Sequence, residues 1–254
     1  PVHVRQNGEF FALYEIVEDG DDRMLERNGR DPEGALYKMY DALADTTRGE
    51  KKTRKDEDKS DLQALITGLQ QQGDAKRLWI YDHVNLAAMA NFLAAMFVTA
   101  STDCCHKNYY AYRDTNGTGE WWYIIWDLDL SFGHNWTPQF NYFDDNIYVQ
   151  NRLFIGSNNA LTGALFAIPE FNAMYVRRVR SLVDRIVQPP ETPADLLHLE
   201  SRVGIQIGLI KPDADLDYAR WGSWNAPQTF DQGVARLVNE FLGPRRAWIY
   251  GTLT

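Results

Sequence analysis

The chain opens with two apolar stretches that predict a β-hairpin. They are Val2-His3-Val4-Arg5 and Phe10-Phe11-Ala12-Leu13-Tyr14, and the Asn7-Gly8 pair between them is typical of tight hairpin turns. The apolar run over residues 35–40 predicts a further strand, in which Lys38 stands among apolar neighbours. A lysine in mid-strand usually faces solvent, but beside an acidic nucleotide site it can pair with phosphates.

A second hairpin is predicted in the middle of the chain. Tyr109-Tyr110-Ala111-Tyr112 favours a strand, Asn116-Gly117-Thr118-Gly119 is a turn signal, and residues 121–126 form an apolar run. A long apolar helix over residues 86–100, with Asp82 as its N-cap, is expected to lie at the centre of the core. That helix would end just before Asp103 and so place Asp103 at the start of the hairpin.

Helical spacing of apolar residues predicts further helices. Their ranges are 24–27, capped by Asp21 and Asp22, and then 62–69, 169–186, 193–210 and 229–242. The mixed-charge run over residues 48–61 is expected to be a mobile, solvated loop, and the aromatic-rich residues 132–155 an ordered loop wall. The fold class is therefore α+β: a small N-terminal part containing a β-hairpin, packed on a mainly helical lobe with a central β-hairpin.

Composition narrows the class of protein. The chain has 254 residues, of which 44% are hydrophobic and 13% aromatic, enough for the core of one domain or two closely packed lobes. A net charge of -9 argues against non-specific binding to nucleic acid. The longest apolar stretch, residues 86–100, is interrupted by Asn91 and too short to span a membrane. Because the first residue is Pro1, we expect a piece trimmed from a longer protein.

Two acidic clusters carry the candidate chemistry. They are Asp103-Cys104-Cys105-His106-Lys107-Asn108 and Trp126-Asp127-Leu128-Asp129, and the predicted hairpin folds the second back beside the first. Asp103 and Asn108 have the DxxxxN spacing of a kinase catalytic loop, in which a carboxylate orients the attacking hydroxyl and an amide helps to hold the metal. The side-chain period of two in a strand is expected to place Asp127 and Asp129 on one face.

Two carboxylates on one face repel each other unless a cation lies between them. Hard oxygen ligands favour Mg²⁺ or Mn²⁺ over zinc, so the sequence predicts a metal site for phosphoryl transfer. The alternatives are two solvated aspartates at a strand end, or another enzyme with a DxD motif, such as a glycosyltransferase or a phosphatase. A DxD phosphatase normally has a series of βαβ units around the motif, and this sequence has none.

The adjacent Cys104 and Cys105 are expected to be small residues packed beneath the loop. A disulfide between neighbours in sequence is strained and rare, and a catalytic thiol would have only His106 as its base.

The sequence resembles the CotH kinase family, atypical protein kinases named for a spore-coat protein. The matching elements occur in order along nearly the whole chain: Asn7-Gly8-Glu9-Phe10-Phe11 with Leu13-Tyr14, Glu18, Leu36-Tyr37-Lys38, Glu50-Lys51-Lys52-Thr53, Asp103 with Lys107-Asn108-Tyr109-Tyr110, Trp126-Asp127-Leu128-Asp129-Leu130-Ser131-Phe132-Gly133, and Asp217-Tyr218-Ala219-Arg220-Trp221-Gly222.

This resemblance implies transfer of phosphate from ATP, with a bound metal, to Ser or Thr hydroxyls of a protein, on a kinase-like fold. Asp103 would be the catalytic carboxylate. Asn108 and Asp127, with Asp129 as a second candidate, would hold Mg²⁺. Lys38 would contact the nucleotide phosphates and Glu18 would position that lysine, although the order of the two is the reverse of that in ordinary kinases.

The resemblance also implies one CotH-like domain over residues 1–254, with a β-rich part (1–60) and a catalytic and helical part (61–254). Relatives usually carry further sequence before the hairpin, which could cover the nucleotide, and the chain has no GxGxxG loop. The implied location is bacterial, secreted or on the cell surface or spore coat. The alternative is a catalytically silent binding module of a surface assembly; the presence of all four candidate residues, Asp103, Asn108, Asp127 and Asp129, favours the enzyme.

Overall fold

The structure is a computed structural model that describes residues 1–137, 139, 141–149, 159–223 and 227–252. It divides into two compact units. The first comprises Pro1–Glu18, Phe132–Gln150 and Leu182–Thr254, and the second Asp19–Ser131 and Asn151–Ser181. Both helices and small sheets are present, which confirms the predicted α+β class.

The described strands form three antiparallel sheets. The strands are β1 Val2–Gln6, β2 Glu9–Tyr14, β3 Ala35–Met39, β4 Gly49–Lys51, β5 Tyr109–Arg113, β6 Trp121–Ile125, β7 His134–Trp136 and β8 Asn141–Phe143. The α-helices are α1 Asp22–Arg27, α2 Ser60–Leu69, α3 Gly73–His83, α4 Leu86–Thr99, α5 Ala160–Phe166, α6 Pro169–Leu182, α7 His198–Trp221, α8 Phe230–Arg236 and α9 Gly243–Thr252. Wider π-helical turns follow α6 at Val183–Val187 and α8 at Leu237–Leu242.

The second unit is built on a four-stranded sheet in the order β4-β3-β5-β6. The predicted central hairpin is confirmed as β5 and β6, and β3 pairs with the outer side of β5. Strand alternation gives this sheet two different faces. On one face the ring of Tyr123 lies 4.2 Å from that of Tyr109 and 5.6 Å from that of Phe92 in α4, so this face lies against the helical core. The opposite face carries Lys38.

Helix α4 has the predicted extent but a different N-cap. Asp82 lies inside α3, a helix that the sequence analysis missed, and Asn85 caps α4 by accepting a hydrogen bond from the backbone N–H of Ala88. The N-cap prediction was wrong because α3 and α4 meet at a bend around Val84, which pairs with Trp121 of β6.

The charged segment over residues 48–61 is not wholly a solvated loop. Its first residues form β4, and the buried Thr53 donates a hydrogen bond to Gly34 O and accepts one from Leu36 N. Lys51 lies over the ring of Tyr37 and donates to Asp58 O. The expectation of a loop was wrong for residues 49–51, where strand pairing and the aliphatic stem of Lys51 anchor the chain, whereas residues 52–59 form no helix or strand.

In the first unit, β1 and β2 form the predicted hairpin, with Asn7 and Gly8 at positive φ in the turn. Its second strand is bound to α7 through side chains of that helix, among them Arg220, which donates a hydrogen bond to Phe10 O. Asp217 accepts a hydrogen bond from Leu13 N, and Trp221 donates its indole N–H to Phe11 O. Helix α7, predicted over residues 193–210, begins later, at His198, and continues through Pro212 as far as Trp221.

Of the predicted loop wall over residues 132–155, the described part is more regular than expected, because β7 and β8 pair within it. Residues 150–158 lie outside the described part of the chain. The aromatic residues Phe140 and Trp224 also lie outside it. Of the helices within the described ranges, none is both long enough and apolar enough to cross a membrane.

The capping assignment gives a stability prediction. We expect Asn85→Ala to lower the free energy of unfolding by about 1–2 kcal/mol, because the N-terminus of α4 loses its side-chain acceptor. The exposed Asp82 should tolerate alanine with a change within about 0.5 kcal/mol. Urea denaturation of the two variants measures both values, and equal losses would contradict the assignment of the cap.

Candidate active site

The loop between α4 and β5 places Asp103 in a buried position, with 6% of its surface exposed. Asn108 donates a hydrogen bond from Nδ2 to Asp103 Oδ2 at 2.6 Å, and Lys107 Nζ lies 3.6 Å from the same oxygen. His106 Nε2 is 3.3 Å from Oδ1, but this contact lacks hydrogen-bond geometry. Oδ1 is therefore a buried oxygen that accepts no hydrogen bond from the described residues.

The surroundings of Asp103 make its carboxyl group more basic. Burial raises the pKa of Asp103 above its ordinary value, Lys107 and His106 oppose this rise, and the negative charge of Asp127 adds to it. A carboxylate with a raised pKa accepts a proton more readily, which suits a group that receives a proton from a hydroxyl. The structure thus gives the predicted catalytic residue both a free oxygen and a raised pKa.

Asn108 and Asp127 both adopt a left-handed backbone conformation, with φ of 60° and 58°. Asn and Asp tolerate this region better than other residues with side chains, and such positions are frequent at functional sites. Strand β6 ends at Ile125, so the alternation of a strand does not continue through Asp127 and Asp129. The premise that a strand holds these two carboxylates on one face was wrong; the role of Asp129, which is exposed, stays a prediction.

Lys38 is not at the surface of its strand, since only 8% of it is exposed. Its ammonium group lies 4.6 Å from the ring centre of Trp126 and 5.3 Å from that of Tyr110. Nζ has no hydrogen-bond partner among the described residues. Burial lowers the pKa of Lys38 to about 8, while the negative charge of Asp127 opposes the decrease. Asp127 is therefore close enough to influence both Lys38 and Asp103.

Glu18 is the residue predicted to position Lys38. It is exposed, follows β2 and belongs to the first unit, whereas Lys38 belongs to the second. The pairing of Glu18 with Lys38 stays a prediction. Within the sheet, the residue directly opposite Lys38 is Glu50 in β4, to which the sequence analysis assigned no role.

Cys104 and Cys105 are joined by a disulfide bond. Their burial was predicted, each being 2% exposed, but the absence of a disulfide was not correct. A disulfide has no free thiolate, so this state of the protein offers no cysteine nucleophile. The signal in the sequence was the adjacency of the two residues, and only the structure shows that their sulfur atoms are bonded.

Asn159 supports the loop from below, and the sequence analysis missed it. Its Nδ2 donates to Cys105 O at 2.7 Å, and its Oδ1 accepts hydrogen bonds from Tyr123 OH and from the backbone N–H of Thr162. One buried amide thus connects the Asp103 loop with β6 and the first turn of α5. An asparagine before an apolar helix is an N-cap signal, but its contacts with Cys105 and Tyr123 depend on the tertiary structure.

The site offers few metal ligands of its own. No group of three or more His, Cys, Asp or Glu side chains within the described ranges is arranged to hold a metal ion. The available donors are the carboxylate of Asp127 and the amide oxygen of Asn108, whose nitrogen is used by Asp103. A short set of hard oxygen ligands fits Mg²⁺, which usually keeps waters and takes its remaining ligands from substrate phosphates.

Comparison with protein families gives a clear result. The model of the CotH kinase protein family matches residues 1–249. The chain belongs to the CotH kinase protein family. A search of curated proteins found no match to the chain. The matched region of this CotH protein includes Lys38, Asp103, Asn108 and Asp127, which the structure brings together in one unit.

The burial of Lys38 gives a test of its predicted role in contacting nucleotide phosphates. Below pH 8 the ammonium is charged and can contact phosphate, whereas above its pKa of about 8 the amine is neutral. We expect the Kd for Mg-ADP to rise roughly fivefold between pH 8 and 9, in proportion to the loss of the charged form. Calorimetric titration measures this, and Lys38→Arg is the control, because arginine stays charged throughout. A flat profile in the parent protein would contradict the role of Lys38.

The raised pKa of Asp103 predicts a gain of stability on substitution. A carboxyl group with a raised pKa in the folded state stabilises the fold below its unfolded-state pKa of about 3.9, and this contribution is lost as pH rises through the folded-state pKa. At pH 7 we therefore expect Asp103→Asn to raise Tm by about 2–4 °C. The gain should shrink as the pH is lowered toward 4, and Asp129→Asn serves as an exposed control. A gain that did not change with pH would exclude this explanation.

Proposed function

We propose that this CotH protein transfers the γ-phosphate of ATP to a Ser or Thr hydroxyl of a protein substrate. One observation carries the proposal: Lys38 Nζ and Asp103 Oδ1, two buried polar atoms with no hydrogen-bond partner in the described part of the chain, lie in one unit and are both influenced by the charge of Asp127. A buried cation and a buried base left unsatisfied in the free protein match the needs of phosphate binding and hydroxyl activation.

The proposed reaction assigns a separate task to each residue. Asp103 Oδ1 takes the proton of the substrate hydroxyl as the hydroxyl oxygen forms its bond to the γ-phosphorus. The bond from that phosphorus to the bridging oxygen of ADP breaks, and Lys38 contributes positive charge to the phosphates. Asn108 orients Asp103 through the 2.6 Å hydrogen bond.

Mg²⁺ or Mn²⁺ would be held by Asn108 and Asp127, with Asp129 as a further candidate, and would neutralise the charge of the phosphates. Burial of Lys38 and Asp103 keeps water from screening these interactions.

Other parts of the proposal rest on family membership. They are a kinase-like arrangement of the second unit, a single catalytic domain with a boundary near residue 60, and a bacterial location that is secreted or associated with the cell surface or spore coat. Glu18 as the positioning residue for Lys38 belongs to the same group.

The first test is binding of Mg-ATP to the parent protein followed by incubation with labelled ATP. We expect a higher Tm with Mg-ATP, because a ligand that binds only the folded state stabilises it, and incorporation of label into the protein or an added Ser- and Thr-containing substrate. The absence of any Mg-ATP-dependent shift would refute the nucleotide site. Binding without transfer would favour the silent binding module.

Two variants separate the roles of the carboxylates. We expect Asp103→Ala to lower transfer by at least about 100-fold while Mg-ATP binding remains, because it removes the proton acceptor and not a phosphate contact. Asp127→Asn should instead weaken the metal-dependent part of the Tm shift. Loss of Mg-ATP binding in Asp103→Ala would reassign Asp103 as a metal ligand.

A further inference from the structure

The buried Asn159 joins three parts of the second unit through one side-chain amide. Its Oδ1 accepts hydrogen bonds from Thr162 N at 3.0 Å, from Thr162 Oγ1 at 2.9 Å and from Tyr123 OH at 3.0 Å. These contacts cap α5 and connect it to β6. Its Nδ2 donates to Cys105 O at 2.7 Å, in the loop that carries Asp103. The oxygen of the amide therefore binds the surrounding fold, and the nitrogen binds the loop.

The hydrogen bond to Cys105 O holds the middle of this loop. Before the loop, the backbone N–H of Thr102 donates to Leu130 O at 2.8 Å, and after the loop the chain enters β5. Residues 103–108 themselves form no helix or strand. Asn159 thus fixes a stretch of backbone that is not held by regular hydrogen bonding.

The same hydrogen bond restrains His106. Cys105 O belongs to the planar peptide unit that joins Cys105 to His106, so a bond to this oxygen fixes the orientation of the whole unit. His106 Nε2 lies 3.3 Å from Asp103 Oδ1 but lacks hydrogen-bond geometry. A small rotation of the peptide would let the imidazole donate to this oxygen, which the proposed reaction uses as its proton acceptor.

We propose that Asn159 is a positioning residue for phosphoryl transfer: by holding the peptide unit between Cys105 and His106, it keeps His106 from donating a hydrogen bond to Asp103 Oδ1. This inference rests on the proposed function. Asn159 acts through Cys105 O and not by contact with the substrate. An imidazole bonded to Oδ1 would compete with the substrate hydroxyl for that oxygen, and it would slow transfer without altering the contacts of the nucleotide.

The test measures transfer from labelled ATP and binding of Mg-ADP in the same variants. Asn159→Ser keeps a side-chain oxygen that can cap α5, but it has no N–H group to donate to Cys105 O. We expect kcat to fall about 10- to 100-fold, because small displacements around a reacting group have effects of this size. The KM for ATP and the Kd for Mg-ADP should stay within about twofold of the parent values, because nucleotide binding is not affected.

Tyr123→Phe is the matched control. It removes the hydrogen bond from Tyr123 OH to Asn159 Oδ1 and leaves the bond from Asn159 Nδ2 to Cys105 O in place. We expect this variant to lower Tm with little change in kcat. A kcat that falls together with Tm in both variants would show that Asn159 acts through stability alone, and would overturn the proposal.

Removal of His106 tests the mechanism. We expect His106→Ala alone to change kcat by no more than about twofold, since the imidazole makes no hydrogen bond to Asp103 in the parent protein. When His106→Ala is added to Asn159→Ser, kcat should recover to within about threefold of that of His106→Ala, because no imidazole remains to occupy Oδ1. A double variant as slow as Asn159→Ser would contradict the proposed role of Asn159.

Each outcome can be assigned. No transfer by the parent protein would overturn the proposed function and this inference with it. Transfer by the parent protein and an unchanged kcat in Asn159→Ser would overturn only the role of Asn159. If Asn159→Ser does not fold, Asn159→Thr takes its place and the same outcomes decide, because threonine also caps helices, fills more of the space and lacks the amide N–H.

Discussion

The register between β3, β5 and β6 is the constraint on which the site depends. Met39, Tyr109 and Ile125 lie opposite one another, so the end of β3, the start of β5 and the end of β6 meet at the same edge of the sheet. Asn108 precedes that edge and Asp127 follows it by two residues. A shift of one residue in β3 would turn Lys38 toward the helical core, because neighbouring side chains in a strand point to opposite faces.

Apolar packing on the opposite face of the sheet offsets the unfavourable free energy of the groups in the site. Tyr109 and Tyr123 pack together there, and α4 covers them with Phe92. This apolar packing supports a site that contains groups unfavourable to folding: a buried amine, a buried carboxylate with a raised pKa, and two residues in left-handed conformations. Functional sites commonly hold such groups, and the surrounding core compensates for them.

The charged groups of the site shift the pKa values of their neighbours. Asp127 raises the pKa of Asp103 and opposes the decrease in the pKa of Lys38, so one carboxylate affects both the base and the cation. Glu50 lies opposite Lys38 on the same face of the sheet. Strand pairing fixes the positions of Lys38 and Glu50, and the loops at the edge of the sheet hold Asp103 and Asp127.

The sequence by itself determined the elements whose signals are local. The Asn7-Gly8 turn, the hairpin of β5 and β6 and the long apolar α4 follow from turn chemistry and apolar periodicity, and the DxxxxN spacing was enough to single out Asp103 and Asn108. The order of motifs along the chain was also enough to recognise the CotH family.

Only the tertiary structure decided which side chains are buried, and with which partners. Lys38 is enclosed by Trp126 and Tyr110, and Asn159 reaches Cys105. Asp127 lies beyond the end of β6 in a left-handed conformation. These features depend on contacts between residues far apart in sequence, and local periodicity carries no information about such contacts. The sequence therefore named the candidate base and metal ligands, and the fold determined their electrostatic environment.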